Sequence, residues 1–274
     1  MNKIYGIVGH PVAHSLSPAM HNAAIRHLKI DAEYRLFDID PDHPDDLANF
    51  CYETDLNNIG GFSVTMPYKE EIMAYMDHYD PLAKIVGSVN TVVNENSKLI
   101  GYNTDAAGSM QALRKKTDIS GKKALVMGAG GAAKAIVYSL KEYGADVFIF
   151  NRTQEKAEAL ADEFDVETIE FRQIPQANFD IIVNATPVGS LPRCEETLLN
   201  AGQIPSHAVV MDLITCPIET QLLKEAEKAS ATPISGERML LHQAVGQFEL
   251  WFGKKAPVEV MEKALYEALE KRQS

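Results

Sequence analysis

The sequence predicts an α/β protein with two domains, on the strength of three observations. Strand-like and helix-like stretches alternate along most of the chain, which is typical of sheets built largely from parallel strands. One stretch of about 30 residues has the order strand, glycine turn, helix, strand, as nucleotide-binding units do. The length of 274 residues allows two domains of ordinary size.

The first part of the chain, up to about residue 105, has signals for both strands and helices. Short apolar or β-branched runs predict strands at residues 4–8, 34–39, 62–65 and 89–93. The third of these strands follows a predicted turn at Gly60 and Gly61. Helices are predicted to begin at Ser17-Pro18 and after Pro44, because proline suits the first position of a helix.

The rest of the chain continues the alternation. Strands are predicted at residues 124–127, 147–150, 181–184 and 209–213. Helices are predicted at residues 106–116, 218–229, 239–252 and 258–271, and a further one runs from the glycine turn to Gly144.

The glycine turn lies between the strands at 124–127 and 147–150, where Gly128, Gly130 and Ala133 have G-x-G-x-x-A spacing. The first glycine permits a tight turn, the second lets backbone amides approach a pyrophosphate, and the small alanine lets helix and strand pack closely. The helix N-terminus offers unpaired N–H groups to the phosphates. A dinucleotide site is therefore predicted, and a turn without a ligand is the alternative. The expected contacts are Gly128, Ala129, Gly130, Gly131 and Ala132.

The residues after the second strand of this unit indicate which dinucleotide binds. An NAD site usually has an acidic residue about 20 residues beyond the glycines, where this chain has Asn151, Arg152 and Thr153. A guanidinium can bind a 2′-phosphate through two hydrogen bonds, and Lys156 follows one turn later. NADP is therefore predicted over NAD. Alternatively, Arg152 is a solvated charge and Thr153 caps the next helix.

Composition excludes several classes of partner. The formal net charge of −12 and the lack of a long basic run argue against nucleic acid and anionic membranes. Cys51, Cys194 and Cys216 form no C-x-x-C pair, so neither a disulfide nor a structural zinc site is expected. His14 and His21 have no ligand-like neighbours, so no metal is predicted. Without a signal peptide or a membrane-spanning run, we expect a cytoplasmic protein.

Four polar clusters lie outside the dinucleotide unit, at residues 9–18, 64–69, 87–91 and 101–105. Open α/β sheets bind ligands at the carboxyl ends of their strands, so these clusters could converge on one ligand. Ser15 and Ser17 could bind a carboxylate, although Ser17 before Pro18 is also an ordinary N-cap. Taken alone, Lys69 is a surface lysine at a predicted helix start, and either Thr104 or Asp105 is a helix cap.

Several motifs in this order resemble the shikimate dehydrogenases, including the related quinate/shikimate enzymes. The resemblance covers nearly the whole chain. It consists of HSLSP at 14–18, VTMPYK at 64–69, GSVNT at 87–91, GYNTD at 101–105, GAGGA at 128–132, NRT at 151–153, NAT at 184–186 and MLLHQA at 239–244.

The resemblance implies a role for each matching residue. Ser15 and Ser17 would bind the substrate carboxylate, and Lys69 and Asp105 would be the catalytic pair. The ring hydroxyls would be bound by Lys69 and Asp105 together with Thr65, Asn90 and Gln243. Further cofactor contacts would be Thr186, Gly236 and Met239. It also implies that residues 1–105 with 239–274 form a substrate and catalytic domain, and 106–238 a Rossmann NADP domain.

The chemistry of the implied pair fits the oxidation of a secondary alcohol. Lys69 could hold the C3 oxygen, stabilise the developing alkoxide as an ammonium, or accept its proton when neutral. A carboxylate at Asp105 would orient the lysine and favour its charged form. We expect an ammonium that positions and stabilises, with proton transfer left open. No metal is needed, because the lysine polarises the oxygen.

Two positions depart from the family pattern. Thr215 stands where many members have tyrosine, and Arg238 where many have glycine before the methionine. The expected function is NADP-dependent, reversible reduction of 3-dehydroshikimate to shikimate by a monomer or homodimer. The alternatives are a quinate/shikimate dehydrogenase that uses NAD or both cofactors, and an inactive nucleotide-binding regulatory protein.

Overall fold

The computed structural model describes residues 3–273 and divides the chain into two compact units. The first unit comprises the residues up to Thr104 and those from Gln243 onward, and the second comprises Asp105–His242. The predicted domain limits at residues 1 and 274 lie outside the described residues. The predicted internal boundaries, after residues 105 and 238, lie close to these divisions, and the ligand of each domain stays a prediction.

The first unit contains a mixed sheet of six strands in the order β2-β1-β3-β5-β6-β4. The strands are β1 (Lys3–Gly9), β2 (Ala32–Asp38), β3 (Ile59–Val64), β4 (His78–Tyr79), β5 (Thr91–Glu95) and β6 (Lys98–Tyr102). Strand β1 pairs in parallel with β2 and β3, whereas β5 is antiparallel to both β3 and β6. The helices of the first unit include α1 (Ser17–His27), α2 (Pro44–Tyr52), α3 (Pro81–Val86) and α9 (Val258–Gln273), and α9 packs on α1.

The second unit is a six-stranded sheet in the order β12-β11-β10-β7-β8-β9, with every described pair parallel. Its strands are β7 (Lys123–Met127), β8 (Asp146–Phe150), β9 (Glu167–Thr168), β10 (Ile181–Asn184), β11 (Val209–Asp212) and β12 (Thr232–Ile234). Its helices are α4 (Asp105–Arg114), α5 (Gly131–Glu142), α6 (Gln154–Phe164) and α7 (Gln221–Lys228). Helix α8 (Gly236–Phe252) begins in the second unit and ends in the first. The predicted α/β class is confirmed.

Three local predictions are wrong. Gly60 and Gly61 lie inside β3 and not in a turn. Glycine is needed at residue 61 because a Cβ there would come within 2.5 Å of Trp251 Nε1. The glycines allow a close approach between strand and helix and form no turn. Lys69 lies in a turn, and the 3₁₀-helix that follows is Glu71–Tyr75. The strand expected at 89–93 is displaced to β5, which forms a hairpin with the unpredicted β6.

Candidate active site

The carboxyl end of β1 leads into the serine pair. Ser17 is the first residue of α1, and Leu16 occupies the N-cap position without a side-chain cap, so the expected Ser17 cap is wrong. The backbone N–H of Ser17 instead donates to Ser15 Oγ over 3.2 Å. Ser17 is buried and Ser15 is half-buried. Both serine side chains therefore lie at one helix N-terminus, as carboxylate binding requires.

Tyr34 and Ser63 extend this polar region into the interior, and the sequence reasoning did not identify either as a site residue. The phenol of Tyr34 hydrogen-bonds to the hydroxyls of Ser63 and Ser17. Burial raises the pKa of Tyr34, and these hydrogen bonds oppose the rise. The only sequence signal was the presence of a tyrosine and a serine within predicted apolar strands. The phenol stays protonated at neutral pH and can donate one hydrogen bond.

Asn90 is the centre of a buried cluster at the start of β5. Its Nδ2 donates to Thr104 Oγ1 over 3.0 Å, and its Oδ1 accepts from the Thr104 backbone N–H over 2.8 Å. Thr91 Oγ1 donates to Asn90 Oδ1 over 2.8 Å, and Asn90 Nδ2 lies 3.5 Å from Gln243 Oε1. Two of the predicted substrate residues, Asn90 and Gln243, are thus brought together by one network.

The segment that carries Thr65 and Lys69 is held by backbone hydrogen bonds beside this cluster. The N–H of Thr65 donates to Val8 O over 2.9 Å, and the N–H of Val89 donates to Lys69 O over 2.8 Å. Both side chains are half-buried. Lys69 is therefore tied through its backbone to the residue that precedes Asn90.

Asp105 is the first residue of α4 and belongs to the second unit. It is buried, with 5% of its surface exposed, and its carbonyl oxygen accepts from Ser109 Oγ over 2.9 Å. Because Lys69 lies in the first unit, the pairing of the two side chains stays a prediction.

The predicted glycine turn joins β7 to α5. Gly128 has φ +124°, and a Cβ there would lie 2.9 Å from Ala185 O, so both the backbone and the available space exclude a side chain. Gly130 is the N-cap of α5, and a Cβ at this position would meet nothing within 4 Å. The open space beside the helix N-terminus leaves room for a phosphate at the backbone amides of residues 130–132.

The residues predicted to bind the 2′-phosphate follow β8. Arg152, Thr153 and Lys156 are exposed, and Asn151 Nδ2 donates to Thr153 O over 2.9 Å. Thr153 occupies the N-cap position of α6, but its side chain makes no capping hydrogen bond. Two cations therefore stand at the end of β8, where an adenosine ribose lies in this fold.

A buried polar group at the ends of β10 and β11 supports the loop that carries Thr186. Asn184 Oδ1 accepts from Thr186 Oγ1 over 2.7 Å, and Asn184 Nδ2 donates to Asp212 Oδ1 over 3.0 Å. Asp212 also accepts from Thr220 Oγ1 and from the Ile214 N–H, over 2.7 and 3.1 Å. Burial raises the pKa of Asp212 to about 6, against the opposing effect of these hydrogen bonds. Sequence reasoning placed Asp212 inside the strand predicted at residues 209–213 and gave it no role of its own.

The start of α8 carries Gly236, Arg238 and Met239. A Cβ on Gly236 would lie 2.3 Å from Ile214 O, so only glycine fits there. Met239 is buried in the core of the second unit. Arg238, one of the departures from the family pattern, has its Nε 3.8 Å from Glu237 Oε1. The other departure, Thr215, is half-buried.

Two negative findings concern residues 3–273. No helix in this range is long and apolar enough to cross a membrane. The same range contains no cluster of three or more His, Cys, Asp or Glu side chains that could hold a metal ion. Cys51, Cys194 and Cys216 are free thiols, and burial raises the pKa of Cys51 to about 12.

The sequence matches three family models. Residues 7–92 match the shikimate dehydrogenase substrate binding domain, residues 110–229 match shikimate/quinate 5-dehydrogenase, and residues 236–266 match the shikimate 5′-dehydrogenase C-terminal domain.

Full-length relatives match as well. A protein of Methanopyrus kandleri named shikimate dehydrogenase (NADP(+)) is 44% identical over 97% of this chain and 96% of its own length. A crystal structure of shikimate dehydrogenase in complex with NADP+ has a TM-score of 0.93 at 39% identity, covering 98% of this chain and 96% of that one. The Thermus thermophilus enzyme in complex with NADP(H) and shikimate has a TM-score of 0.89 at 35% identity, covering 97% of this chain and 100% of that one.

Proposed function

The chain belongs to the shikimate dehydrogenase family, and on that premise we propose that it catalyses the NADP-dependent, reversible reduction of 3-dehydroshikimate to shikimate. This reaction is a step of aromatic amino-acid biosynthesis. The structural observation that carries the proposal is the buried cluster of Asn90, Thr104 and Gln243. A polyhydroxylated ring needs buried donors and acceptors at fixed positions, and this cluster supplies both.

We infer that the substrate binds across the polar ends of β1, β3 and β5. Ser15 and Ser17 would hold the carboxylate at the N-terminus of α1, in agreement with their shared location. The ring hydroxyls would be held by Thr65, Lys69, Asn90, Asp105 and Gln243. Because Asn90 and Gln243 already share a hydrogen-bonded network, little side-chain freedom would be lost when substrate binds.

We assign the reaction chemistry to Lys69 and Asp105. NADP, when bound, supplies the acceptor or donor of the hydride. Lys69 as an ammonium would donate a hydrogen bond to the C3 oxygen and stabilise the negative charge that develops there during oxidation. Asp105 would orient the ammonium and favour its charged form. An ammonium has no lone pair, so Lys69 would take the hydroxyl proton only as it passes one of its own protons to the Asp105 carboxylate.

The residues of the second unit fit an NADP molecule. The open space at Gly130 lets the pyrophosphate approach the amides of Gly128, Ala129, Gly130, Gly131 and Ala132. Arg152 and Lys156 would bind the 2′-phosphate, with Asn151 and Thr153 beside them. The nicotinamide end would lie against three further residues, Thr186, Gly236 and Met239. We further propose a monomer or homodimer that works in the cytoplasm.

The experiment that tests the function is a grid of initial rates with shikimate or quinate and NADP or NAD, followed by the absorbance of the reduced cofactor. We expect turnover with shikimate and NADP, and far lower kcat/KM for the other three pairs. Comparable rates with quinate or NAD would favour the broader-specificity enzyme and make Thr215 and Arg238 the first residues to substitute. No turnover with any pair by NADP-bound protein would favour the regulatory alternative.

Two variants show whether the activity belongs to the proposed site. Lys69→Ala should lower kcat by about a hundredfold or more and change KM much less, because its interaction strengthens in the transition state. Lys84→Ala, which removes an exposed lysine of α3 in the same unit, should keep the rate of the natural chain. An unchanged kcat in Lys69→Ala would remove the lysine from the mechanism.

A further inference from the structure

We propose that Gln247 is a positioning residue for the substrate site, which holds Asn90 and the Gln243 turn of α8 in their binding arrangement. Gln247 lies one turn beyond Gln243 on α8 and has only 1% of its surface exposed. The inference rests on the proposed function, in which Asn90 and Gln243 bind ring hydroxyls.

Both ends of the Gln247 amide are engaged by other elements. Its Nε2 donates to the carbonyl oxygen of Asn90 over 3.3 Å. Its Oε1 accepts from Ser63 Oγ on β3 over 3.2 Å and lies 3.3 Å from His21 Nε2 on α1. One buried side chain therefore joins α8 to a helix, a strand and the central residue of the proposed site.

The orientation of this amide is fixed by its partners. His21 is fully buried, and this burial lowers the pKa of its imidazole to about 3 despite the opposing effect of the hydrogen bond to Gln247. Ser63 donates its hydroxyl to Gln247 Oε1, and His21 Nε2 faces the same oxygen. Only the Nε2 end can then face the Asn90 carbonyl, because a carbonyl oxygen accepts and never donates.

Asn90 is held from two directions as a result. Its carbonyl oxygen accepts from Gln247 and also from the backbone N–H of Val64 over 2.8 Å. Its side chain lies 3.5 Å from Gln243, which precedes Gln247 by one turn. Members of a buried hydrogen-bonded network hold one another in place, so loss of the Gln247 donor loosens Asn90.

A second tie between the same two elements supplies a matched control. Trp251, one turn beyond Gln247, donates from Nε1 to Val92 O over 2.9 Å. Val92 lies two residues beyond Asn90, so Trp251 fixes α8 against β5 in addition to the contacts that Gln243 and Gln247 make with Asn90. Unlike those two contacts, the Trp251 hydrogen bond involves no proposed substrate residue.

The test compares Gln247→Met with Trp251→Phe. Methionine has about the same length as glutamine but cannot donate to Asn90 O, so KM for shikimate should rise about tenfold or more. We expect kcat to change less than about threefold and KM for NADP to stay the same. Trp251→Phe also loses a buried hydrogen bond and should lower Tm, yet leave KM for shikimate within about twofold.

Gln247→Asn provides a second variant if Gln247→Met does not fold. Its amide is one methylene shorter and no longer reaches Asn90 O, while water can satisfy the buried partners. The same rise in KM for shikimate is expected. An unchanged KM in the folded Gln247 variant, or equal rises in the Gln247 and Trp251 variants, would overturn the positioning role. If the unmodified chain itself does not turn over shikimate with NADP, the proposed function fails first.

Discussion

Asp212 shows how a single buried carboxyl group makes stability depend on pH. It is fully buried at the end of β11, and burial raises its pKa to about 6. An unfolded aspartate has a pKa of about 3.9. Between these two values the folded protein binds more protons than the unfolded chain, so the free energy of unfolding falls as pH rises. This loss begins above about pH 4 and is nearly complete by about pH 7.

Asp212→Asn should remove that pH dependence. The natural chain is expected to lose up to about 3 kcal/mol of stability between about pH 4 and pH 7 from this group, whereas asparagine cannot ionise. The difference in unfolding free energy between the two proteins, measured with urea, should therefore shift in favour of the variant as pH rises. Asp162→Asn, an exposed substitution on α6, is the control and should follow the natural chain. Parallel curves for Asp212→Asn and the natural chain would contradict the role of Asp212.

At the residue scale, the sequence predicted the site residues that lie in recognisable motifs. It did not predict the residues that hold the site residues in place by hydrogen bonds. Asn90 and Gln243 were predicted from GSVNT and MLLHQA, and the structure brings them together. Tyr34, Ser63 and Gln247 were missed, because each lies in an apolar strand or helix pattern where a polar residue has no local signal. Their partners are distant in the chain, as in the hydrogen bond from Ser63 to Gln247, so only the folded arrangement identifies them.

Among the structural elements, the turn between β7 and α5 was predicted most directly from the sequence, through its glycine spacing. Glycine is needed at its two positions for different physical reasons. Gly128 has a positive φ and lies against Ala185 O, whereas Gly130 has φ −97° and open space at its Cβ position. The first glycine is thus required by the fold, and the second only by a ligand that approaches closely.

Alanine at each position should separate these requirements. Gly128→Ala should destabilise the protein by about 1–3 kcal/mol, from backbone strain and the contact with Ala185 O. Gly130→Ala should leave stability within about 1 kcal/mol and raise KM for NADP, because its methyl group would occupy the phosphate space. Thermal unfolding and initial rates measure the two effects. Equal losses of stability in both variants would contradict this division of roles.

Other elements were harder to predict because their signals are weak or are set by distant contacts. Strands β5 and β6 form a hairpin through Asn96 and Ser97, both with positive φ, and no glycine marks this turn. Strands β4 and β9 have two residues each, too few for a periodic pattern. The position of Gly61 within β3 follows from its contact with Trp251, which lies nearly two hundred residues later.

At the scale of the whole molecule, the path of the chain was the least predictable feature. Local patterns predicted helices near both ends of the chain, but no local pattern could bring α9 against α1 or assign the end of α8 to the first unit. Only the family resemblance implied such a return. The net charge of −12 sets a further condition, since any anionic ligand must be attracted by a few local cations such as Lys69 and Arg152.

Hydrogen exchange with each ligand alone would test the proposed assignment of ligands to the two units. A ligand at about a hundred times its Kd stabilises the structure it binds by about 2.7 kcal/mol, which slows exchange where opening breaks the site. We expect NADP alone to slow exchange in β7, α5 and β8. Shikimate alone should slow exchange near Ser17, around Asn90 and around Gln243 in α8.

Arg152→Ala is the matched variant for this measurement. At the same concentration of NADP, it should lose most of the protection in β7, α5 and β8, because the 2′-phosphate loses its guanidinium partner. Its protection by shikimate should be unchanged, because Arg152 lies in the second unit and the proposed carboxylate and hydroxyl ligands lie mainly in the first. Slower exchange throughout the second sheet with shikimate alone would contradict the assignment. So would an Arg152→Ala protein that NADP protects as fully as the natural chain.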